Sequence, residues 1–325
     1  MNNLKHLFNL EKVDVSLLLR AISIFSIVAG HFHWVGVPGG AYYLIFLSGF
    51  NFILFTSSKV TCLNYASKSF NSSEFYSIYF GFMWKIILPT LLYTVFLFSF
   101  LGVFYPASIF LISNFVAPMY GEGLSFWFIE VLVQIYFLFA IVFYTNKYWF
   151  WFKKFAYESF LILFALFFFI SLTCRLMWDT SDLLDRLPHL MLYIFLAGSA
   201  TALSNSIKKK IITTLALSLI LLDLFVFGFN SRIMFLYLGA LVTTWLPYIL
   251  MPQVFGKVIF YSAISSLFIY LTHFQTLSLL ERLSMDQYPG LNVFAAFAVG
   301  VLITQIWKRR EKIFHVLSLG KLSGS

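Results

Sequence analysis

Charge is scarce in this chain. Of its 325 residues, 11% are Asp, Glu, Lys or Arg and 61% are hydrophobic. Soluble domains carry about 25% charged residues, so an ordinary soluble fold is excluded. The period-2 alternation of a membrane β-barrel is also missing. Apolar runs are instead continuous, about twenty residues long, and closed by charges or turn residues. Cysteine is nearly absent, with two in the chain. Cys62 is expected in or near an inner loop and Cys174 near an outer helix end, which argues against a disulfide. No zinc-binding spacing, internal repeat, low-complexity tail or soluble domain stands out. The basic lead of Lys5 and Lys12 is like that of a signal peptide. The apolar stretch behind it is too long, however, and lacks a small-x-small cleavage site, so it reads as an uncleaved first span.

What remains is a polytopic helical membrane protein. Ten spans are expected, at roughly 15–37, 38–56, 75–104, 124–145, 155–177, 188–205, 211–229, 232–251, 257–280 and 290–307. The segment 105–123 is apolar but interrupted by Pro106, Pro118 and Gly121, and reads as an outer loop or re-entrant piece. Pro89 inside the long third span predicts a kink or tilt there. Charge asymmetry supports this count. With the N-terminus inside, the inner segments hold Lys5, Lys12, Lys59, Lys68, Lys147, Lys153, Lys154, Lys208, Lys209, Lys210, Lys257, Lys308, Arg309, Arg310, Lys312 and Lys321. The outer segments hold Arg186, Arg232 and Arg282, with Arg175 near the edge. The expected fold is therefore all-α: one transmembrane bundle of about ten helices with both termini cytoplasmic. The net charge of +9 is explained by this sidedness rather than by a nucleic-acid partner. KRREK at 308–312 reads as a stop-transfer anchor, with attraction of anionic lipid or a phosphorylated ligand as the alternative.

Against that background, ionisable residues inside spans are costly, about 2.5–3.5 kcal/mol for a charge at the centre of a lone helix. The short list is Arg20, His31, His33, Lys85, Glu130, Asp223 and His273, with Glu158 close enough to a helix end to reach water. Eleven helical steps of about 100° place Arg20 and His31 on one face, about 16 Å apart along the axis. Arg20 comes near the cytoplasmic end and His31 past the midplane. Each has a plainer reading: Arg20 snorkels to lipid phosphates, and His31 is a packed histidine bonded to backbone. His33 lies about 200° from His31 on a helix, so the two cannot chelate a metal from one face, and an interfacial position suits it. His31, Glu130 and His273 are expected in one layer, with Arg20 below and Lys85 between, and convergence on one cavity would accommodate them all. Asp223 in LLDLF either pairs with a buried cation or belongs to the site. Asp179, Asp182 and Asp185 form an outer acidic cluster, read as a solvated loop or as a contact for sugar hydroxyls.

These residues resemble the pattern of the acyltransferase-3 family of integral membrane O-acyltransferases. The match rests on Arg20 and His31 in the first helix and on LIFLSGF with Ser48, Gly49 and Phe50. It rests also on WKIILP with Lys85 and Pro89, FWFIE with Trp127 and Glu130, and IYLTH with Tyr270 and His273. Departures are Gly81 and Phe82 where a second basic residue often stands before the proline, and Leu44 and Ile45 where phenylalanines are usual. The resemblance implies transfer of an acyl group, often acetyl, from cytoplasmic acyl-CoA to a hydroxyl of a saccharide or lipid-linked glycan, in the inner (plasma) membrane. Acyl-CoA is then a cosubstrate, and no bound cofactor or metal is expected. His31 would act as general base or as covalent acyl carrier. Glu130 or His273 would orient it or protonate the leaving thiolate, and Arg20 and Lys85 would bind donor phosphates. Ser48, Trp127 and Tyr270 would support the site. The rival expectation is a proton-coupled transporter or a flippase for a lipid-linked sugar, with the buried Glu, His and Asp as proton carriers. The sequence shows a proline-interrupted third helix but no matching interruption in the second half. A structural or assembly role would leave the buried ionisable groups without a reason.

Overall fold

A computed structural model describes residues 9–36, 38–57, 72–116, 126–143, 154–178, 180, 186–285 and 287–322. Cys62, Pro118, Gly121, the loop lysines Lys5, Lys59, Lys68, Lys147 and Lys153, and the acidic cluster Asp179, Asp182 and Asp185 lie outside the described residues. Among the described residues the fold is all-α apart from one two-stranded ribbon, and the chain divides into two compact units, Met1–Val37 with Tyr248–Ser325, and Pro38–Pro247.

The first unit joins the two ends of the sequence. Strand β1 (Leu10–Asp14) pairs antiparallel with β2 (Tyr248–Pro252), in the register Leu10 to Pro252 and Asp14 to Tyr248. Asp14 ends the strand and caps helix α1 (Val15–His31), its Oδ1 accepting from the Ser16 amide at 2.7 Å, as short polar residues do at helix starts. The helix stops at His31, not at residue 37 as expected. His33 adopts a left-handed conformation, φ 54°. The Trp34 amide donates to the Ala29 carbonyl at 3.0 Å and the His33 amide to Gly30 at 3.2 Å. That pattern is a Schellman closure. His31 is therefore in the last turn of α1 rather than deep along a longer helix.

Strand β2 was expected to be the tail of the span 232–251. Its YILMP sequence is equally at home in a strand, and pairing with β1 decides the matter. The expected span 257–280 is also corrected. It is broken at Ser265 into α11 (Gln253–Ile264) and α12 (Ser266–Arg282), bent by 77°. Helix α13 (Pro289–Leu322) completes the unit. A Cβ on Gly300 would meet the Ile269 Cα at 2.6 Å, so α12 and α13 cross backbone to backbone.

The second unit contains α2 (Gly40–Asn51), α3 (Ser72–Leu101), the short α4 (Pro106–Ile109), α5 (Trp127–Phe143), α6 (Ala156–Met177), α7 (Pro188–Leu203), α8 (Ile207–Leu217), α9 (Leu222–Phe227) and α10 (Ser231–Trp245). Helix α7 is buried almost throughout and packs on α2 and α6. At its crossing with α2 both helices present glycine. A Cβ on Gly49 would fall 1.9 Å from the Phe195 carbonyl oxygen, and one on Gly198 1.9 Å from that of Phe46. Small residues permit this approach in membrane bundles, which gives the LSGF motif a packing role. Beside the crossing, Phe52, Tyr136, Phe139 and Phe195 pack their rings together. Helix α3 continues through Pro89, which lacks the N–H that would bond the Lys85 carbonyl.

Among the described residues, four helical stretches are long and apolar enough to cross a membrane, at Tyr79–Leu101, Ala156–Met177, Ile207–Phe227 and Pro289–Arg310, with a fifth if the bent pair counts as one span. Val15–His31, Gly40–Phe55, Trp127–Ile141 and Pro188–Leu203 are shorter apolar helices. The chain is thus a helical membrane protein.

Candidate active site

In the first unit, the C-terminal turn of α1 meets the middle of α12. The Nδ1 of His31 lies 2.8 Å from the Nε2 of His273, and the rings are nearly parallel, at an interplanar angle of 9°. Phe274 stacks on the His31 ring at 4.7 Å and lies 4.3 Å from the His273 ring. His273 is 1% exposed, whereas His31 is exposed.

The tautomers follow from one carbonyl. The Nδ1 of His273 lies 2.6 Å from the main-chain oxygen of Tyr270. A carbonyl only accepts, so this nitrogen carries the proton. In a neutral His273, Nε2 is then an acceptor, and His31 must donate to it from Nδ1. The remaining nitrogen of a neutral His31, Nε2, therefore holds the basic lone pair. A buried backbone carbonyl thus sets the protonation pattern of an exposed imidazole through an intervening buried one. Tyr270 contributes its main chain to this relay, while its ring lies 5.7 Å from that of His273. Arg20 is half-buried on α1, on the His31 side of the helix by the 100° step.

The second unit holds the other expected site residues, and the structure gives all but Lys85 a local partner. Glu130 is fully buried. Its carboxylate accepts from the Ser113 hydroxyl at 2.6 Å, the Asn114 amide at 2.8 Å and the Phe126 amide at 3.3 Å. Gln134, one turn on, exchanges a reciprocal pair of amide bonds with Asn114 at 2.8 and 3.0 Å and donates to the Leu111 carbonyl. Together they fasten the segment after α4 onto α5, and 106–116 is a folded piece rather than an open loop. Ser48 donates to the Leu44 carbonyl of its own helix. Trp127 carries the Arg186 guanidinium 4.7 Å over its ring. Lys85 is exposed on α3. Asp223 is paired with Arg175 at 2.5 Å, with the Phe227 ring 4.8 Å from the guanidinium.

Ser113, Asn114 and Gln134 were not singled out in the sequence. The polar pair in ISNF and the spacing of Gln134 four residues after Glu130 are the signals that could have found them. Among the described residues, no three His, Cys, Asp or Glu side chains stand close enough together to hold a metal ion.

Comparison with protein-family models, with curated proteins and with solved structures finds no match.

Proposed function

We propose that the chain is a multi-pass membrane O-acyltransferase of the acyltransferase-3 type. It moves an acyl group, acetyl foremost, from cytoplasmic acyl-CoA to a hydroxyl of a cell-surface saccharide or lipid-linked glycan, in the inner (plasma) membrane. The carrying observation is the hydrogen-bonded pair of His31 and His273, one exposed and one buried, ordered by the Tyr270 carbonyl. Ten spans with both termini cytoplasmic complete the reading.

In this mechanism the Nε2 of His31 takes the proton of the acceptor hydroxyl as its oxygen attacks the thioester carbonyl. The Nδ1–H stays bonded to His273, which holds the ring in orientation. Collapse of the tetrahedral intermediate breaks the C–S bond, and the His31 imidazolium returns its proton to the leaving thiolate. Arg20 is assigned to the donor phosphates. Glu130, committed to three donors, is assigned to holding the 106–116 segment rather than to proton transfer.

The test is the mass of surface glycans from a strain carrying the chain and from its deletion. Loss of one acyl mass per repeat in the deletion supports the reading; identical glycans contradict it.

One observation favours the second reading, a proton-coupled transporter or lipid-linked sugar flippase. The second half of the chain does contain a broken helix, at Ser265. The Ser265 hydroxyl is buried, and it finds no hydrogen-bond partner among the described residues. Broken helices commonly line transporter sites. Saturable acetyl-CoA binding by purified protein favours the enzyme, whereas substrate flux without acyl chemistry favours the transporter.

A further inference from the structure

Helix α11 cannot cross a bilayer by itself. Its 12 residues rise about 18 Å, against a hydrocarbon core about 30 Å thick. Helix α12 turns 77° away from it and, with 17 residues, covers about 25 Å alone.

Two features set the level of α11. The first is the ribbon. A two-stranded ribbon leaves N–H and C=O groups unpaired along both outer edges, which hydrocarbon does not tolerate. Helix α11 leaves β2 directly at Pro252, and the Gln253 amide donates to the Asn9 carbonyl at 3.2 Å. Its start is therefore held at the boundary of the apolar layer. The second is α13, which returns antiparallel to α12 after the short connection 283–288. At their crossing Gly300 meets Ile269. Eight residues from Gly300 to Lys308 rise about 12 Å, and three residues back from Ile269 to Ser266 about 4.5 Å. The start of α12 at Ser266, next to the break, thus lies about 7.5 Å above the Lys308 level. Amphipathic helices lying in the interface sink about 5–10 Å below the headgroups.

The surface of α11 fits that level. Val254, Val258 and Tyr261 recur at one-turn spacing and are 71%, 59% and 46% exposed. The opposite side, with Gly256 and Ala263, is buried, and a Cβ on Gly256 would fall 1.8 Å from the Glu11 carboxylate oxygen. Gln253 and Lys257 border the apolar stripe and are exposed. On the ribbon, Lys12 lies over the Tyr248 ring at 4.4 Å. Lys308 and Arg309 are exposed at the end of the α13 span.

We propose that α11 and the β1–β2 ribbon lie in the plane of the membrane interface, with phospholipid as their partner. Val254, Val258 and Tyr261 enter the acyl boundary, and Lys257 and Lys12 meet headgroup phosphates. This placement is independent of acyl transfer.

The test uses the full chain with Cys62→Ser and Cys174→Ser, reconstituted in phosphatidylcholine–phosphatidylglycerol nanodiscs. Single nitroxides are placed at Val254→Cys, Lys257→Cys, Val258→Cys or Tyr261→Cys, and depth is read from collisions with oxygen and with a water-soluble nickel chelate. Expected is one shallow depth of about 5–10 Å for positions 254, 258 and 261, with position 257 several-fold more accessible to the chelate. A depth that grows by about 1.5 Å per residue, as in a crossing helix, overturns the proposal. So does water exposure at all four positions. Leu302→Cys, on the exposed side of α13, is the control. A deep signal there with a wet α11 rejects the interfacial placement alone, whereas a wet signal at both rejects membrane insertion as well.

Discussion

The His31–His273 contact is a matter of single protons. Because the Tyr270 carbonyl accepts from His273, the buried ring presents a lone pair, and the exposed ring must donate to it. Replacing His273 by Phe removes that acceptor and lets His31 take either tautomer. Acyl transfer should then fall by about 10²-fold or more, the scale of losing positioned general-base catalysis, while donor binding measured separately stays near the wild-type value. Equal losses in both would assign His273 to folding instead. Glu130 invites a different measurement. With Ser113 and Asn114 as donors, it should couple energetically to the segment it holds. A double-mutant cycle of Glu130→Ala and Ser113→Ala in thermal unfolding should show about 0.5–3 kcal/mol of coupling; additive effects would deny the clamp. Asp223 pairs with Arg175, so Arg175→Ala should cost about 3–5 kcal/mol by leaving a buried charge unmatched, and Asp223→Asn in the same chain should recover part of it. The histidines and Glu130 were legible in the sequence as out-of-place ionisable residues. Their partners were not, because Ser113, Asn114 and the Tyr270 carbonyl are ordinary groups until the fold aims them.

At the scale of elements, helix existence was easier to foresee than helix ends. Continuous apolar runs predict helices, and those of α1, α6, α7 and α13 are present. The end of α1 is decided by two backbone hydrogen bonds around His33, and no apolar pattern marks them. A non-glycine residue in the left-handed region costs about 1–2 kcal/mol, so His33→Gly should raise the unfolding midpoint in detergent. A fall would mean that the His33 side chain holds the closure together. The ribbon was hidden for another reason: its two strands, Leu10–Asp14 and Tyr248–Pro252, are far apart in the chain, and each is only 5 residues long. The glycine pair at the α2–α7 crossing has the sharpest requirement. Gly49→Ala or Gly198→Ala sets a methyl group against a backbone carbonyl that cannot rotate away. Overpacking of about 1–3 kcal/mol, and more where backbone is struck, is expected for each.

At the scale of the molecule, scarcity of charge and long apolar runs describe a membrane protein before any helix is seen. The residues that break this rule are the ones with chemistry to offer. Within the first unit, the ribbon, the interfacial placement assigned to α11 and the crossing of α12 with α13 hold His273 against the end of α1, where His31 remains accessible. The most direct measurement is transfer of radiolabelled acetyl from acetyl-CoA to endogenous glycan in membranes containing the wild-type chain or His31→Ala at equal, well-folded abundance. Label should enter glycan with the wild type and be lost with His31→Ala; undiminished transfer by His31→Ala would contradict His31 as the base.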